Sequence, residues 1–252
     1  MMFEPENVLE QWLMAAADHP SSRPRFYEEL AKSAIFVITQ SPVETKNGII
    51  EADTSIAIKN VVLDGKTYIP IFTSVRRLNQ FINEPESYIG MNSLDFFNLT
   101  KGADVMLNPG SDYGKSFSVS EIASILDGSL GHPREMYTVE KETTVQIDVP
   151  ANPPTELLSE LSKLFRTLKE VRSAYNALID NPEDGLDPHT LIGIEVFGNW
   201  ERIMAAAGIV ADAVKVPNPP IDFIQLNDGE GLDQHLRTSY KPFYKRKTFG
   251  LF

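Results

Sequence analysis

The run DVMLNPGSDYGKSFSVSEIASIL, residues 104–126, decides how the chain is read. Val105, Met106 and Leu107 form a short apolar run, stopped by the turn formers Asn108-Pro109-Gly110-Ser111. Apolar content resumes at Phe117 and Val119. Ser118 followed by Glu121 makes a capping box, in which hydroxyl and carboxylate satisfy orphan amides at a helix start. The helix buries Ile122, Ile125 and Leu126 and stops at Asp127-Gly128, glycine being the usual residue after a helix end. Strand, turn, strand and capped helix in one run point to mixed α and β structure.

The same run holds the one string that resembles a nucleotide motif. Gly110-Ser111-Asp112-Tyr113-Gly114-Lys115-Ser116 has three residues between its glycines, where a phosphate-binding loop has four. Such a loop also needs converging backbone amides and a helix starting at its Lys-Ser pair. Here Phe117 intervenes, and Pro109, which has no amide, stands where the first glycine would be. The reading is a turn between strands. Asn108, Gly110, Ser111, Gly114 and Lys115 remain the only ligand-loop candidates.

Outward from this run, Asn7 to Ala17 has helical spacing at Val8, Trp12 or Leu13, and Ala16, ended by His19-Pro20. Pro24 opens a second helix with Phe26, Tyr27 and Leu30 on one side. Ile35 to Ile38 reads as a buried strand. Residues 55–73 read as a hairpin turning at Asp64-Gly65. Pro70 cannot donate to a ladder, which predicts an edge strand or an outward-facing amide position. Ser74 caps a helix with Val75, Leu78 and Ile82 inward. Residues 88–100 are expected to hold a short strand and a half turn of helix.

From Gly128 to Glu142 glycine, proline and charge replace periodicity, which places a domain boundary near 137. Thr144 to Val149 alternates as a strand. Pro150, Pro153 and Pro154 then lead into a long helix, Thr155 to Asp180. In it Leu157, Leu161, Leu164, Leu168, Val171, Tyr175 and Leu178 repeat at four-three spacing. Such a seam suits either core packing or a coiled coil. Leu158 and Phe165 widen the stripe, which favours packing on a sheet. A strand over residues 191–197, a helix from Trp200 to Val214, a strand from Ile221 to Leu226 and a helix through Leu232 and Leu236 complete an α/β pattern.

The totals bound function. The chain has 252 residues, 42% of them hydrophobic, and no apolar run near the ~20 residues of a membrane span. The acidic start MMFEPENVLEQW reads as no signal peptide. Zero cysteines exclude disulfides, thiolate catalysis and cysteine-ligated metals, and fit a reducing compartment, with cytoplasm the expectation. Net charge is −12, with 21 acids against 12 bases in residues 1–150 and 14 against 11 thereafter. Neither half is basic, which argues against broad binding to nucleic acid or membrane. The ending, with five aromatics after Ser239 among Lys241, Lys245, Arg246 and Lys247, is of a kind that single-stranded nucleic acid binds. Pinning to its own core is the preferred reading.

No catalytic constellation stands out. His19, His132, His189 and His235 lack metal-ligand spacing and are expected mostly at the surface near turns. Glu195 is the one acid in a strand that reads as buried, where a raised pKa would suit acid–base work. Alternation offers the plainer reading: Ile192, Ile194 and Val196 on one face, Glu195 on the other toward solvent. No cofactor or metal site is expected.

Several strings resemble the SseB family, bacterial proteins named for enhanced serine sensitivity when overproduced. They are RPRFYEEL (23–30), IPIFTSVRRL (69–78), residues 107–126 of the opening run, PP-x6-L-x-x-L-F-x-T-L-K (153–169), LIGIE (191–195), PIDFIQL (220–226) and KPFYKRK (241–247). The resemblance implies an N-terminal and a C-terminal SseB domain in one cytoplasmic protein. It implies no activity and carries over no catalytic or ligand residue.

The expectation is thus a mixed α/β protein of two small domains, 1–137 and 138–252, each a mixed sheet packed with helices. It is a non-enzymatic binding or adaptor protein linked to amino-acid (serine) sensitivity, with a protein partner, as monomer or weak homodimer. The alternative is an enzyme or amino-acid sensor with a pocket between the domains.

Overall fold

A computed structural model describes residues 3–44, 54–132, 145–182, 185–227, 229 and 231–247. The chain divides into two compact units, Met1–Leu130 and Gly131–Phe252. The boundary expected near 137 lies outside the described residues.

The first unit opens with α1 (Val8–Asp18), capped by the Asn7 side chain, which accepts from the Glu10 amide. A single 3-10 turn leads to α2 (Arg23–Leu30), with proline in its first turn. The inner face of α1 is Leu9, Leu13 and Ala16; Val8, expected inward, is exposed. There follow β1 (Ala34–Ile38), β2 (Val61–Leu63), β3 (Lys66–Phe72), α3 (Val75–Phe81), β4 (Tyr88–Asn92) and α4 (Ser93–Leu99). The hairpin at Asp64-Gly65 forms as read, both residues at positive φ (50° and 76°), the conformation that Asp-Gly favours. Its first arm is shorter than expected: before β2 only Ile58 bridges, to Thr39. The helix after β4 is longer than the expected half turn, because Asn92 caps it by accepting from the Leu94 and Asp95 amides.

The opening run folds as β5 (Val105–Leu107), β6 (Lys115–Phe117) and α5 (Val119–Asp127). Gly128 ends α5 in the left-handed region, where glycine carries no Cβ penalty. Only half of the capping box forms. Ser118 accepts from the Glu121 amide, but the Glu121 carboxylate turns to Tyr27 and Lys115.

The six-stranded sheet runs β4-β1-β3-β5-β6, with β2 on β3. β3 lies inside it, against the edge expectation. Ile71 pairs with Val37 and Phe72 with Phe36, so Pro70 continues the register at Ile38. The Ile38 carbonyl accepts from the Lys59 amide at 3.0 Å, so the donor that Pro70 lacks comes from another segment. One face buries Ile35, Val37, Ile69, Ile71, Val105, Leu107 and Phe117 under α1, α2, α4 and α5. The fully buried Phe26, Phe96, Phe97 and Phe117 are worth about 1.5–3 kcal/mol each in transfer terms. The opposite face seats α3 through Leu78 against Ile38 and Phe72.

The second unit has β7 (Gln146–Asp148), α6 (Thr155–Thr167), β8 (Val171–Asp180), β9 (His189–Val196), α7 (Trp200–Ala211), β10 (Ile221–Leu226), α8 (Leu232–Ser239) and β11 (Tyr244–Lys245). The expected helix from Thr155 to Asp180 is therefore a helix and a strand. Leu157, Leu161, Leu164 and Leu168 are buried as the seam requires, but the helix ends at Thr167. Residues 171–180 pair instead with β9 at eight positions. A bulge at Val171/Ser173 lets Val171 and Ala174 share the α6/α7 face, while Tyr175 and Ala177 turn to the other. Arg246 fixes the helix end by donating to the Phe165 and Leu168 carbonyls, a cation where the helix dipole is negative. The sheet order is β10-β9-β8-β11, with β7 also on β8. α6 and α7 cover one face and α8 the other, α8 sitting close because Gly193 leaves room for Leu236.

Candidate functional site

The sequence candidates surround the β5–β6 turn, and the turn sends them two ways. Asn108, at φ 48°, points inward and is buried. Its Oδ1 accepts from the Thr73 amide at 3.0 Å and its Nδ2 donates to Thr73 Oγ1 at 2.9 Å. Thr73 Oγ1 in turn donates to Glu10 Oε1 at 2.6 Å, and Arg77 holds the same carboxylate through Nε and Nη2. Asn108 is a buried strut of this network, with its side-chain oxygen and nitrogen both engaged by Thr73. Gly110 supplies the positive φ (74°) that turns the chain, and the Ser111 amide closes the turn on the Asn108 carbonyl.

Gly114 and Lys115 reach a cleft of about 200 Å³. Gly114 passes so close to the Leu107 and Asn108 carbonyls that a Cβ would lie 2.9 Å from each. Leu13, Ala16 and Phe26 give the cleft apolar walls, with the exposed Ala17 beside them. Its polar groups are Arg23, Tyr27 and Lys115. Lys115 Nζ sits 2.8 Å from Glu121 Oε1 and 4.9 Å from the Phe117 ring centre; Tyr27 donates to the same Glu121 oxygen at 2.6 Å. Glu121 thus orients two of the three polar groups. Arg23 is half-buried and makes no side-chain hydrogen bond or ion pair among the described residues.

In the second unit Glu195 faces neither solvent nor a raised pKa. Its Oε2 accepts from Ser173 at 2.7 Å, and its Oε1 lies 3.2 Å from both Arg172 and Arg237. Burial pushes its pKa up, but the Ser173 hydroxyl and the two guanidinium groups outweigh this and hold it below the usual glutamate value. It is fixed as a carboxylate. His189, expected at the surface, is buried: Nε2 lies 3.0 Å from Asp222 Oδ2 and Nδ1 3.1 Å from the Asp187 carbonyl. Among the described residues no group of three acidic or imidazole side chains could hold a metal ion.

The aromatic-basic ending is pinned over its described part. Tyr244 donates to the Phe165 carbonyl at 3.0 Å, and the Arg246 amide to the Arg172 carbonyl at 2.8 Å. Residues 248–252 lie outside the described residues. Sequence reading missed Arg23, Glu10 and Arg77, and did not foresee the burial of His189. Arg23, just before Pro24 at a helix start, gave the one local signal, since that position leaves its side chain at the helix end.

Two mixed α/β units in series, each a sheet with helices on both faces, define the class. The SseB protein N-terminal domain matches residues 9–124 and the SseB protein C-terminal domain residues 139–246. The chain belongs to the SseB family. It is 32% identical over 252 residues to Protein SseB of Escherichia coli (strain K12), a match covering 99% of this chain and 96% of the relative. Protein SseB of Shigella flexneri matches to the same extent. No solved structure matches.

Proposed function

We propose that the protein is a non-enzymatic, cytoplasmic binding or adaptor protein acting in amino-acid physiology and linked to serine sensitivity. The observation that carries this reading is the closure of two shielded acids, Glu10, which is buried, and Glu195, which is partly buried. Glu10 is taken up by Arg77 and Thr73, and Glu195 by Arg172, Arg237 and Ser173. Both are held below the usual glutamate pKa. A general acid or base needs a pKa near the working pH, so these groups are tuned away from catalysis. No helix among the described residues is long and apolar enough to cross a membrane.

The test is incubation of the purified chain with pools of amino acids, nucleotides and 2-oxo acids, followed by proton NMR. The pools should come through unchanged. A product formed by the wild type and lost in Glu195→Gln would establish the enzyme instead.

A further inference from the structure

We propose that the cleft between α1, α2 and the β5–β6 turn binds a small monocarboxylate with an apolar body of about four to six carbons, an apolar cavity of ~150 Å³ being enough for benzene. The inference is independent of the adaptor reading. It rests on three features that meet in one place.

The first is Arg23. The chain carries 35 acids against 23 bases, yet this half-buried guanidinium has no carboxylate partner among the described residues. A partly desolvated cation left without an anion is unfavourable, and the planar fork of arginine matches a carboxylate with two parallel hydrogen bonds. The second is Lys115, a further cation on the same cleft. Glu121 and the Phe117 ring hold its ammonium head, Nζ lying 2.8 Å from Glu121 Oε1 and 4.9 Å from the ring centre. Little side-chain entropy therefore remains to be lost when an anion arrives, and Arg23 is the cation that lacks a counter-charge among the described residues. The third is the wall. Leu13, Ala16 and Phe26 offer a ligand only apolar surface, in a space of about 200 Å³. Inorganic phosphate would leave oxygens unsatisfied against that wall, whereas a carboxylate with a hydrocarbon body places charge at the cations and carbon on carbon. Gly114 belongs to the construction as well, because a side chain there would collide with backbone and displace the turn that carries Lys115.

The experiment titrates the full chain with butyrate and benzoate by isothermal calorimetry. Controls are 1-butanol and butylamine, which keep the body and lose the carboxylate, and inorganic phosphate, which keeps the charge alone. Two variants accompany the wild type. Arg23→Gln removes the cation, and Ala17→Trp, at an exposed position lining the cleft, fills it from the solvent side. Melting curves establish that both are folded. Saturable binding of at least one carboxylate is expected, with none for the three controls. Arg23→Gln should raise Kd at least ~tenfold, the worth of a charged hydrogen bond, and Ala17→Trp should abolish binding. The proposal is overturned if neither carboxylate binds saturably, if 1-butanol or phosphate binds as well as the carboxylates, or if Arg23→Gln binds as the wild type does.

Discussion

Glu10 Oε2 and Arg77 Nη2 lie 2.8 Å apart in the interior of the first unit, their side chains 0% and 4% exposed, although 67 residues separate them. The pair ties α1 to α3, and through Thr73 and Asn108 it also reaches the β5–β6 turn. Arg77 further stacks on Phe3, its guanidinium carbon 3.7 Å from the ring centre, and donates to the Glu4 carbonyl. Removing one partner strands the other charge, so Glu10→Gln should cost about 3–5 kcal/mol in chemical denaturation. Replacing both with apolar residues, Glu10→Leu with Arg77→Met, should recover much of that loss.

The same pair gives stability a pH dependence. Burial raises the Glu10 pKa, but hydrogen bonds from Arg77, Thr73 and the Glu6 amide, with the Arg77 charge, bring it below the ordinary value of 4.5. A carboxyl whose folded pKa is depressed contributes fully above its unfolded pKa and loses that contribution as pH falls through the folded one. Wild-type melting should therefore fall as pH drops below 4.5, and Glu10→Gln should fall less steeply.

In the β5–β6 turn, backbone matters more than charge. Lys115→Ala removes a part-exposed ion pair worth about 0.2–1 kcal/mol. Gly114→Ala drives a Cβ to 2.9 Å from two carbonyl oxygens and should cost about 1–3 kcal/mol. Gly110→Ala, strained at φ 74° but with its Cβ meeting only the Phe81 ring at an ordinary 4.0 Å, should cost about 1–2 kcal/mol. Denaturant midpoints of the three variants check the order.

The seam of α6 faces the core of its own unit. Leu164, 2% exposed, packs with the β8 and β9 residues Val171, Ile192 and Ile194. Leu164→Ala should cost about 2–5 kcal/mol through lost burial and a cavity. The wild-type melting temperature should not change with concentration. A rise with concentration, together with a folded monomeric Leu164→Ala variant in sedimentation, would make the seam an interface.

The domain cut near 137 remains a proposal, resting on the glycine, proline and charge between Gly128 and Glu142. Limited proteolysis should cleave first in that interval and leave two stable fragments. First cleavage at Asp64-Gly65, or the absence of stable fragments, would count against it.

Legibility followed the reach of each signal. The strand, turn and capped helix of 104–126, the Asp64-Gly65 hairpin and the strand IDFIQL were readable because turn chemistry and capping act over a few residues. The change from α6 to β8 was hidden because no glycine or proline marks Leu168 to Val171. Tyr175, Ala177 and Ile179 alternate as a strand should, but a four-three apolar spacing ran across them. Glu10 gave no signal in the sequence and His189 was expected near a turn at the surface, since their partners, Arg77 and Asp222, are far away in sequence. Arg23 was passed over for the same reason: the turn bringing Lys115 to its cleft comes more than ninety residues later.

The most direct test of the binding reading is affinity capture on the immobilised full chain, quantified by mass spectrometry against bare matrix and competed with excess soluble chain. The account predicts at least one protein that is enriched saturably and displaced by the soluble chain. A capture no richer than the bare matrix would contradict it.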